Sequence, residues 1–225
     1  MNENYKWKGF SFISKGVIVE KTPIAPKPNH SFTEFNIPGR SGSLTIDNKK
    51  YDDFLLSMEC HFNNNNVNIN DIKSWLDGYG KLQLDDEKEY TGKITNSIPF
   101  DKIINFRHFL VQFKLHPLAK ALTPTTITQT TTGTFSAETY VETYPVITIT
   151  CTGDVSVGLN GTTFTLDDAD GTYILDCEAK IITKNGTNQS SIMSGDFPKV
   201  INGSNSLIVS GTISALEIKY YKTYL

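Results

Sequence analysis

The side chains of this sequence most suited to acid–base or nucleophilic chemistry are its four histidines, all of which precede residue 120. They are His30, His61, His108 and His116. Nucleophilic catalysis requires a Ser, Cys or Thr held against such a base, and a common serine setting is a Gly-x-Ser-x-Gly turn between a strand and a helix. The nearest match, Gly39-Arg40-Ser41-Gly42, lacks that spacing. Arg40 is therefore interpreted as a loop anchor, and no catalytic residue is predicted.

Two groups of carboxylates invite comparison with hydrolytic and calcium sites. Glycosidases raise the pKa of one acid in an apolar pocket, which the adjacent charges of Asp85–Glu89 at a hairpin tip cannot achieve. The segment Asp167–Gly171 resembles part of a calcium loop, but it lacks the regular register and the closing Glu. Both segments are predicted to be solvated β-turns.

The cysteines carry no metal-binding pattern. Cys60, Cys151 and Cys177 are odd in number and widely spaced, without a Cys-x-x-Cys pair. Each lies in or beside an alternating apolar run, where a thiol packs as a small hydrophobic group. We predict three reduced, structural cysteines, no metal site and no cofactor, and we expect that the protein is not an enzyme.

Charge and hydropathy restrict the classes of partner. The 21 Lys and Arg residues nearly balance the 24 Asp and Glu residues, so no basic patch for nucleic acid or anionic lipid is expected. No apolar stretch approaches the roughly 18 residues of a membrane span, and Met1–Lys8 is polar. We therefore expect synthesis in a cytoplasm without a signal peptide.

The N-terminal half reads as strands around one helix. Alternating apolar residues predict strands over Tyr51–Phe62 and around Phe109–Leu115. Near residues 70–77, Asn70 can cap a short helix whose Ile72/Trp75/Leu76 stripe must pack on a sheet. The run Lys81–Ile94 predicts a hairpin with the acidic residues at its tip.

The composition changes in the threonine-rich segment 119–137, which we interpret as a linker that merges into a strand. We accordingly predict two domains, residues 1–120 and residues 121–225. The second contains regular short strands with Gly, Asn and Asp turns, which is typical of a β-sandwich. These strands are predicted at 146–151, 155–159, 162–166, 172–177, 180–183, 207–209 and 213–221.

The order of several weak motifs resembles the distal tail protein (Dit) family of siphovirus-type phages, from about Tyr5 to Tyr221. The motifs are an aromatic strand with Phe10 and Phe12, the loop Pro38–Gly42, a helix ending in Trp75-Leu76, Leu82 and Leu84 before an acidic turn, a strand closing at Pro117, and the segments Asp176–Glu178, Gly195–Pro198 and Gly203–Ile208.

This resemblance implies a mainly β protein, with a ring-forming N-terminal domain that has one short helix and a galectin-like C-terminal β-sandwich. It further implies a structural hub of a phage or prophage-derived tail tip, assembled in the bacterial host cytoplasm. Its expected partners are further copies of itself in a hexameric ring, the tail tube protein, the tail-associated tip protein, and baseplate or receptor-binding proteins.

A closed ring needs two complementary surfaces on every copy. The segments Pro23–Pro28, Pro38–Leu44 and Asp85–Glu89 lie outside the predicted core and could supply them. Arg40 is our candidate ring-interface residue, because a guanidinium group binds a carboxylate through two hydrogen bonds. The alternative function is a carbohydrate-binding adhesion module of β-sandwich type, because aromatic residues are plentiful and can stack on sugars.

Overall fold

The computed structural model describes residues 5–63, 68–99 and 108–225, so the first four residues of the polar N-terminus lie outside it. In these ranges the chain is mainly β with one short α-helix, which confirms the predicted fold class. The chain divides into two compact units. The N-terminal unit comprises Met1–Ala119 and Leu225, and the C-terminal unit comprises Lys120–Tyr224. No helix of this described part is long and apolar enough to cross a bilayer.

The N-terminal unit is built on an antiparallel sheet with the strand order β2-β1-β7-β8-β9-β6-β3. Two further strands, β4 and β5, pair with each other in a separate two-stranded sheet. The elements are β1 (Lys6–Trp7), β2 (Phe10–Ser11), β3 (Val17–Val19), β4 (His30–Asn36), β5 (Ser43–Tyr51), β6 (Phe54–Phe62), α1 (Ile69–Trp75), β7 (Tyr79–Gln83), β8 (Lys88–Ile94) and β9 (His108–Leu115).

The alternation predicted for β6 and β9 is confirmed, because every second residue of each strand is buried. These core residues are Leu56, Met58, Cys60 and Phe62 of β6 with Phe109, Val111, Phe113 and Leu115 of β9. Directly opposed pairs such as Met58–Val111 fix the register of the two strands. The predicted strand started too early: Tyr51 ends β5, and β6 begins at Phe54.

The helix packs as its apolar stripe predicted, with Ile72, Trp75 and Leu76 buried. Its N-cap is Asn68 and not the predicted Asn70. Asn68 has an extended backbone conformation, and its side-chain Oδ1 accepts a hydrogen bond from the Asn70 N–H at 3.1 Å, which satisfies a free donor of the first turn.

Two tryptophans connect this helix to strand β1. The indole N–H of Trp7 donates to the Trp75 carbonyl at 3.1 Å, and the indole N–H of Trp75 donates to the Trp7 carbonyl at 2.9 Å. Phe12 completes the contact edge-on to Trp75, with ring centroids 4.9 Å apart. Of the two aromatics of the predicted opening strand, Phe12 is buried but Phe10 is exposed.

The C-terminal unit is all-β, with the strand order β11-β18-β13-β14-β15-β16. In addition, β12 pairs with β18 and β17 pairs with β14. The strands are β11 (Thr125–Thr128), β12 (Gly133–Ala137), β13 (Val146–Leu159), β14 (Thr162–Asp176), β15 (Ile181–Lys184), β16 (Thr187–Asn188), β17 (Met193–Gly195), β18 (Gly203–Tyr220) and β19 (Thr223–Tyr224), and the short β10 (Ala119–Ala121) lies where the two units meet in the chain.

Bulges bend the three long strands of this unit at one level. Asp154 of β13 stands opposite both Asp167 and Asp168 of β14, and the register of β13 with β18 also shifts in this region. In β14 the buried side chains change from even to odd numbers across the bulge, from Leu166 to Ala169. Because a bulge bends a strand and increases its twist, one continuous sheet can curl over its own core.

The bulges divide the sheet into two halves that share this core. Strands β12 and β17 flank one half of the long strands, whereas β11, β15 and β16 flank the other. Buried residues of both halves belong to one hydrophobic cluster, including Val157, Phe164 and Leu207 on one side and Ile147, Tyr173 and Ile218 on the other. This arrangement is that of a β-sandwich.

Several predicted strand ends in this unit were wrong. The Asp167–Gly171 segment is not a turn between two strands, because β14 runs through it with a bulge at Asp168 (φ 49°). The two strands predicted at each of 146–159 and 203–221 are likewise single strands, β13 and β18. The threonine-rich segment includes β11 and β12.

All three cysteines are buried and unpaired with one another, as predicted. Burial, with a smaller contribution from the neighbouring Asp176, raises the pKa of the Cys177 thiol to about 12. A thiol with so high a pKa is not a nucleophile at neutral pH.

Candidate assembly surface

The loop predicted around Pro38 is the tip of a β-hairpin, whose strands β4 and β5 form a separate two-stranded sheet. Strands β4 and β5 pair from Asn36–Ser43 at the tip to His30–Tyr51 at the base. Gly39 and Gly42 have φ values of 81° and 83°, which glycine adopts without strain. The predicted turn chemistry is confirmed, whereas strand β4 was not predicted.

One face of this hairpin is apolar near its tip. Phe35 of β4 pairs directly with Leu44 of β5, and Ile46 lies on the same face opposite Thr33. The exposed fractions are 49% for Phe35, 38% for Leu44 and 48% for Ile46. We call Phe35, Leu44 and Ile46 the apolar face of the hairpin. Clustered exposure of large apolar side chains beside polar ones marks interaction surfaces.

Toward the base, the same face becomes polar. The Asn48 amide donates to the Ser31 hydroxyl at 3.2 Å and to the Thr33 hydroxyl at 3.0 Å. These bonds join the two strands across their irregular register. The apolar surface is therefore confined to the outer half of the hairpin.

The opposite face carries polar and aromatic side chains. Phe32 is 53% exposed and pairs directly with Asp47. The Asp47 carboxylate accepts the Lys49 backbone N–H at 2.8 Å and lies 3.2 Å from Nδ1 of His30. The hydrogen bond from Lys49, followed by that of His30, lowers the pKa of Asp47. This carboxylate is therefore charged at neutral pH.

Arg40, the predicted interface residue, lies at the exposed tip of this hairpin. Its backbone N–H donates to the Ile37 carbonyl at 3.1 Å, which closes the turn. Because Arg40 is exposed, it provides a positive charge at the hairpin tip.

The other two predicted interface segments are also at the surface of the N-terminal unit. In the acidic turn Asp85–Glu89, the Asp85 carboxylate accepts the backbone N–H groups of Glu87 and Lys88 at 3.0 and 2.9 Å. This turn connects β7 and β8, as predicted. The segment Pro23–Pro28 is extended, and its Ile24 is 81% exposed.

An open groove of about 480 Å³ runs beside this proline segment. Its apolar lining includes Pro23, Ile24, Leu55 and Leu110, and we call it the proline groove. Leu55 belongs to β6 and Leu110 to β9, on the sheet face that points away from the core; they are 60% and 39% exposed. The N-terminal unit thus presents both a projecting apolar ridge and an apolar groove.

The groups considered for catalysis do not gather in a cleft. His30 lies at the base of the hairpin and His61 and His108 lie on the sheet, whereas the acidic residues Asp85–Glu89 form a turn. Both tryptophans, Trp7 and Trp75, are buried and so cannot stack on a sugar.

Comparison with known proteins gives a likeness of structure only. No family model matches the sequence, and no curated protein matches it. The crystal structure of the Dit protein of phage SPP1 is similar over 99% of each chain, with a TM-score of 0.77 and 12% sequence identity. That protein is described as a paradigm of the hub adsorption apparatus of phages that infect Gram-positive bacteria.

A chain of the activated baseplate of phage p2 also aligns, over 97% of each chain, with a TM-score of 0.49 and 8% identity. The similarity to the SPP1 protein extends over both units of this chain. Over nearly its entire length, this chain has the fold of a phage distal tail protein.

Proposed function

We propose that this protein is a structural component of a phage or prophage-derived tail tip, a distal tail protein that forms a hexameric ring. The ring would connect the tail tube to the tip or baseplate and to the receptor-binding apparatus. The full-length structural similarity to the SPP1 hub protein is the observation that supports this role. The location would be the virion tail tip, after assembly in the host cytoplasm.

The β4–β5 hairpin is the element that a partner would stabilise most. A two-stranded hairpin alone is at best marginally stable in water. Within the described ranges its strands pair only with each other, and the apolar face remains exposed. Covering Phe35, Leu44 and Ile46 would stabilise both the hairpin and the assembly.

We propose that a second copy of the same chain covers this face. A ring repeats one heterologous contact, so the ridge and its receiving surface must both be present on every copy. The proline groove offers an exposed apolar surface that includes Ile24 and Leu55. Stable interfaces usually bury about 1,200–2,000 Å² in total, so the hairpin would form one part of a broader contact.

Arg40 would add specificity to that contact. Its guanidinium can bind a carboxylate through two hydrogen bonds, and the acidic turn presents the exposed carboxylates of Asp86 and Glu87 on each copy. Such charge pairs fix the register of an interface more than they add affinity.

The remaining partners follow from the proposed hub role. They are the tail tube protein, the tail-associated tip protein and the baseplate or receptor-binding proteins. With a formal net charge of −3, the chain has no general attraction for nucleic acid. The proposed role is structural and not catalytic.

The carbohydrate-binding alternative has one observation in its favour. Tyr140 is 66% exposed, and its ring lies 5.5 Å from that of Tyr224 in the C-terminal unit. The Lys222 ammonium lies within 5.4 Å of both ring centroids. Lys222 therefore occupies ring surface that a sugar would need. A specific ligand on a glycan array would favour this alternative.

Size-exclusion chromatography with light scattering tests the ring. The wild type should reach six times the 25.1 kDa chain mass at high concentration. Phe35→Asp should release monomers, because losing a central aromatic anchor costs about 2 kcal/mol or more at each contact, and the unpaired carboxylate would add to that cost. Arg40→Glu should shift the equilibrium in the same direction.

Phe32→Asp is the matched control, because Phe32 is equally exposed on the opposite face of the same strand. It should retain the wild-type mass, and circular dichroism should give the same spectrum for all variants. An unchanged oligomer for Phe35→Asp would contradict the proposed interface. A wild type that stays monomeric at every concentration would contradict self-assembly.

A further inference from the structure

Three side chains that are far apart in the sequence meet on the outer face of the N-terminal sheet. His61 of β6 and His108 of β9 stand directly opposite each other in the antiparallel pair. Glu20 follows β3 immediately and extends the pairing of that strand with β6, through its N–H bond to the Glu59 carbonyl at 2.9 Å. Three neighbouring strands therefore place these residues side by side.

Their donor atoms converge. Nδ1 of His61 lies 3.3 Å from Oε1 of Glu20, and Nδ1 of His108 contacts the same oxygen. The ligand atoms of the three residues all lie within 4.8 Å of one another. The two imidazole rings are tilted by 41° with centroids 5.5 Å apart, so neither blocks the other from the shared centre.

These distances suit a small metal ion. With Zn–N and Zn–O bonds of about 2.0–2.1 Å, neighbouring ligands of a tetrahedral zinc are about 3.4 Å apart. The 3.3 Å between His61 and Glu20 is already that separation. Small side-chain rotations could bring His108 to the same distance, since its side chain is 67% exposed.

The donor types select the class of ion. Imidazole nitrogen favours zinc, copper, nickel and cobalt, whereas calcium and magnesium favour all-oxygen sites. Two imidazoles and one carboxylate leave the fourth tetrahedral position open to water or to a group from another molecule. The side chains of Glu20 and His61 are about 27% and 32% exposed, so an ion can reach them.

We propose that Glu20, His61 and His108 bind a divalent transition-metal ion, Zn²⁺ by its donor preference. Both imidazoles bind the ion through Nδ1 and keep a proton on Nε2, and the ion links β3, β6 and β9. Since β3 has three residues and lies at one end of the sheet order, it gains most from this link. The proposal is independent of the function proposed above.

The same unit contains a matched control. His30 and Asp47 also form a surface histidine–carboxylate pair, with Nδ1 and Oδ1 3.2 Å apart. That pair has one imidazole, and Asp47 also accepts a backbone N–H from Lys49. With only one imidazole, this pair should not bind a metal ion.

The experiment uses the full chain with any polyhistidine tag removed, because a tag would itself bind metal. Co²⁺ titration followed by visible absorption reports tetrahedral coordination, and Zn²⁺ competition with isothermal calorimetry gives the affinity and stoichiometry. We expect one ion per chain. His61→Gln, His108→Gln and Glu20→Gln should each weaken binding at least as much as the roughly 10–100-fold loss typical of outer-shell changes. His30→Gln should bind like the wild type.

Thermal melting gives a second measurement. Zn²⁺ should raise the melting temperature of the wild type and of His30→Gln, but not that of the three ligand variants. If His61→Gln fails to fold, the more exposed His108→Gln decides the matter. A wild type without saturable binding, or equal affinity in all variants, would overturn the site and leave a cluster held by hydrogen bonds alone.

Discussion

The side chain of Asn205 fixes the loop that leads into strand β18 through four hydrogen bonds. It is fully buried, and its Oδ1 accepts the Ile201 N–H at 2.9 Å and the Asn160 amide at 2.7 Å. Its own amide donates to the carbonyls of Ile201 and Gly203 at 2.9 and 3.0 Å. Both N–H donors and the carbonyl oxygen of the Asn205 side chain thus have hydrogen-bond partners.

Replacing Asn205 with Ala should destabilise the C-terminal unit. Each buried group left unpaired costs about 1–3 kcal/mol, so a loss of roughly 3 kcal/mol is expected from urea denaturation. Asn188→Ala is the control, because Asn188 is exposed and accepts only the Ser190 N–H among the contacts described. Equal stability of the two variants would contradict this account.

At the residue scale, the environment of single side chains was predictable, whereas contacts between side chains far apart in the sequence were not. The cysteines were correctly predicted as buried and reduced, because each lies in an apolar run. The cluster of Glu20, His61 and His108 was missed, because its members meet only through the pairing of β3 with β6 and of β6 with β9. The spacing of these residues in the sequence does not predict how the three strands pair.

At the element scale, the helix depends on the sheet beneath it. Helix α1 has seven residues, which is too short to persist alone in water. The reciprocal bonds between Trp7 and Trp75 attach its C-terminal end to β1, and Trp75 is 6% exposed. The tryptophan pair therefore decides whether this element forms.

Trp75→Ala should cost roughly 3–5 kcal/mol of unfolding free energy, as for other buried large-to-small changes. Trp75→Phe keeps an aromatic ring but removes the N–H donor, so it should cost roughly 0.5–1.5 kcal/mol, the net contribution of one hydrogen bond. Chemical denaturation followed by circular dichroism measures both. A Phe variant as unstable as the Ala variant would place the stabilisation in the hydrogen bond and not in packing.

Periodicity predicted those elements that bury one face. It identified β6, β9 and the β7–β8 hairpin correctly. It missed β4 because neither face of that strand is buried: Phe32 and Phe35 lie on opposite faces, so the apolar residues do not alternate with polar ones. It divided β13, β14 and β18 because the bulge residues, such as Asp168 and Gly211, are also typical of turns.

At the scale of the whole molecule, the two units have separate cores. The buried cluster of the C-terminal unit is drawn entirely from residues beyond 120, from Phe135 to Tyr220. A unit with its own core can fold by itself. Sequence identity to the SPP1 protein is only 12%, so the order of the weak motifs, and not overall sequence similarity, indicated this architecture.

A fragment spanning Lys120–Tyr224 should therefore fold alone and unfold cooperatively in urea. A shorter fragment starting at Val146 is the control. It lacks β11 and β12, which cover one edge of β18, and it loses the buried Phe135 and Ala137. It should be less stable or aggregate. A longer fragment without a cooperative transition would contradict the independence of the unit.

The bulge at Asp168 also restricts how this chain can vary by insertion and deletion. The two bulge residues Asp167 and Asp168 both face outward, so removing one of them would leave Ala169 and Tyr173 facing the core but would make the strand regular and take away its bend. Many substitutions are compatible with such a strand, but losing the bulge residue would straighten the sheet that has to curl over the core. Relatives of this protein should therefore differ far more in residue identity than in the spacing between Leu166 and Tyr173.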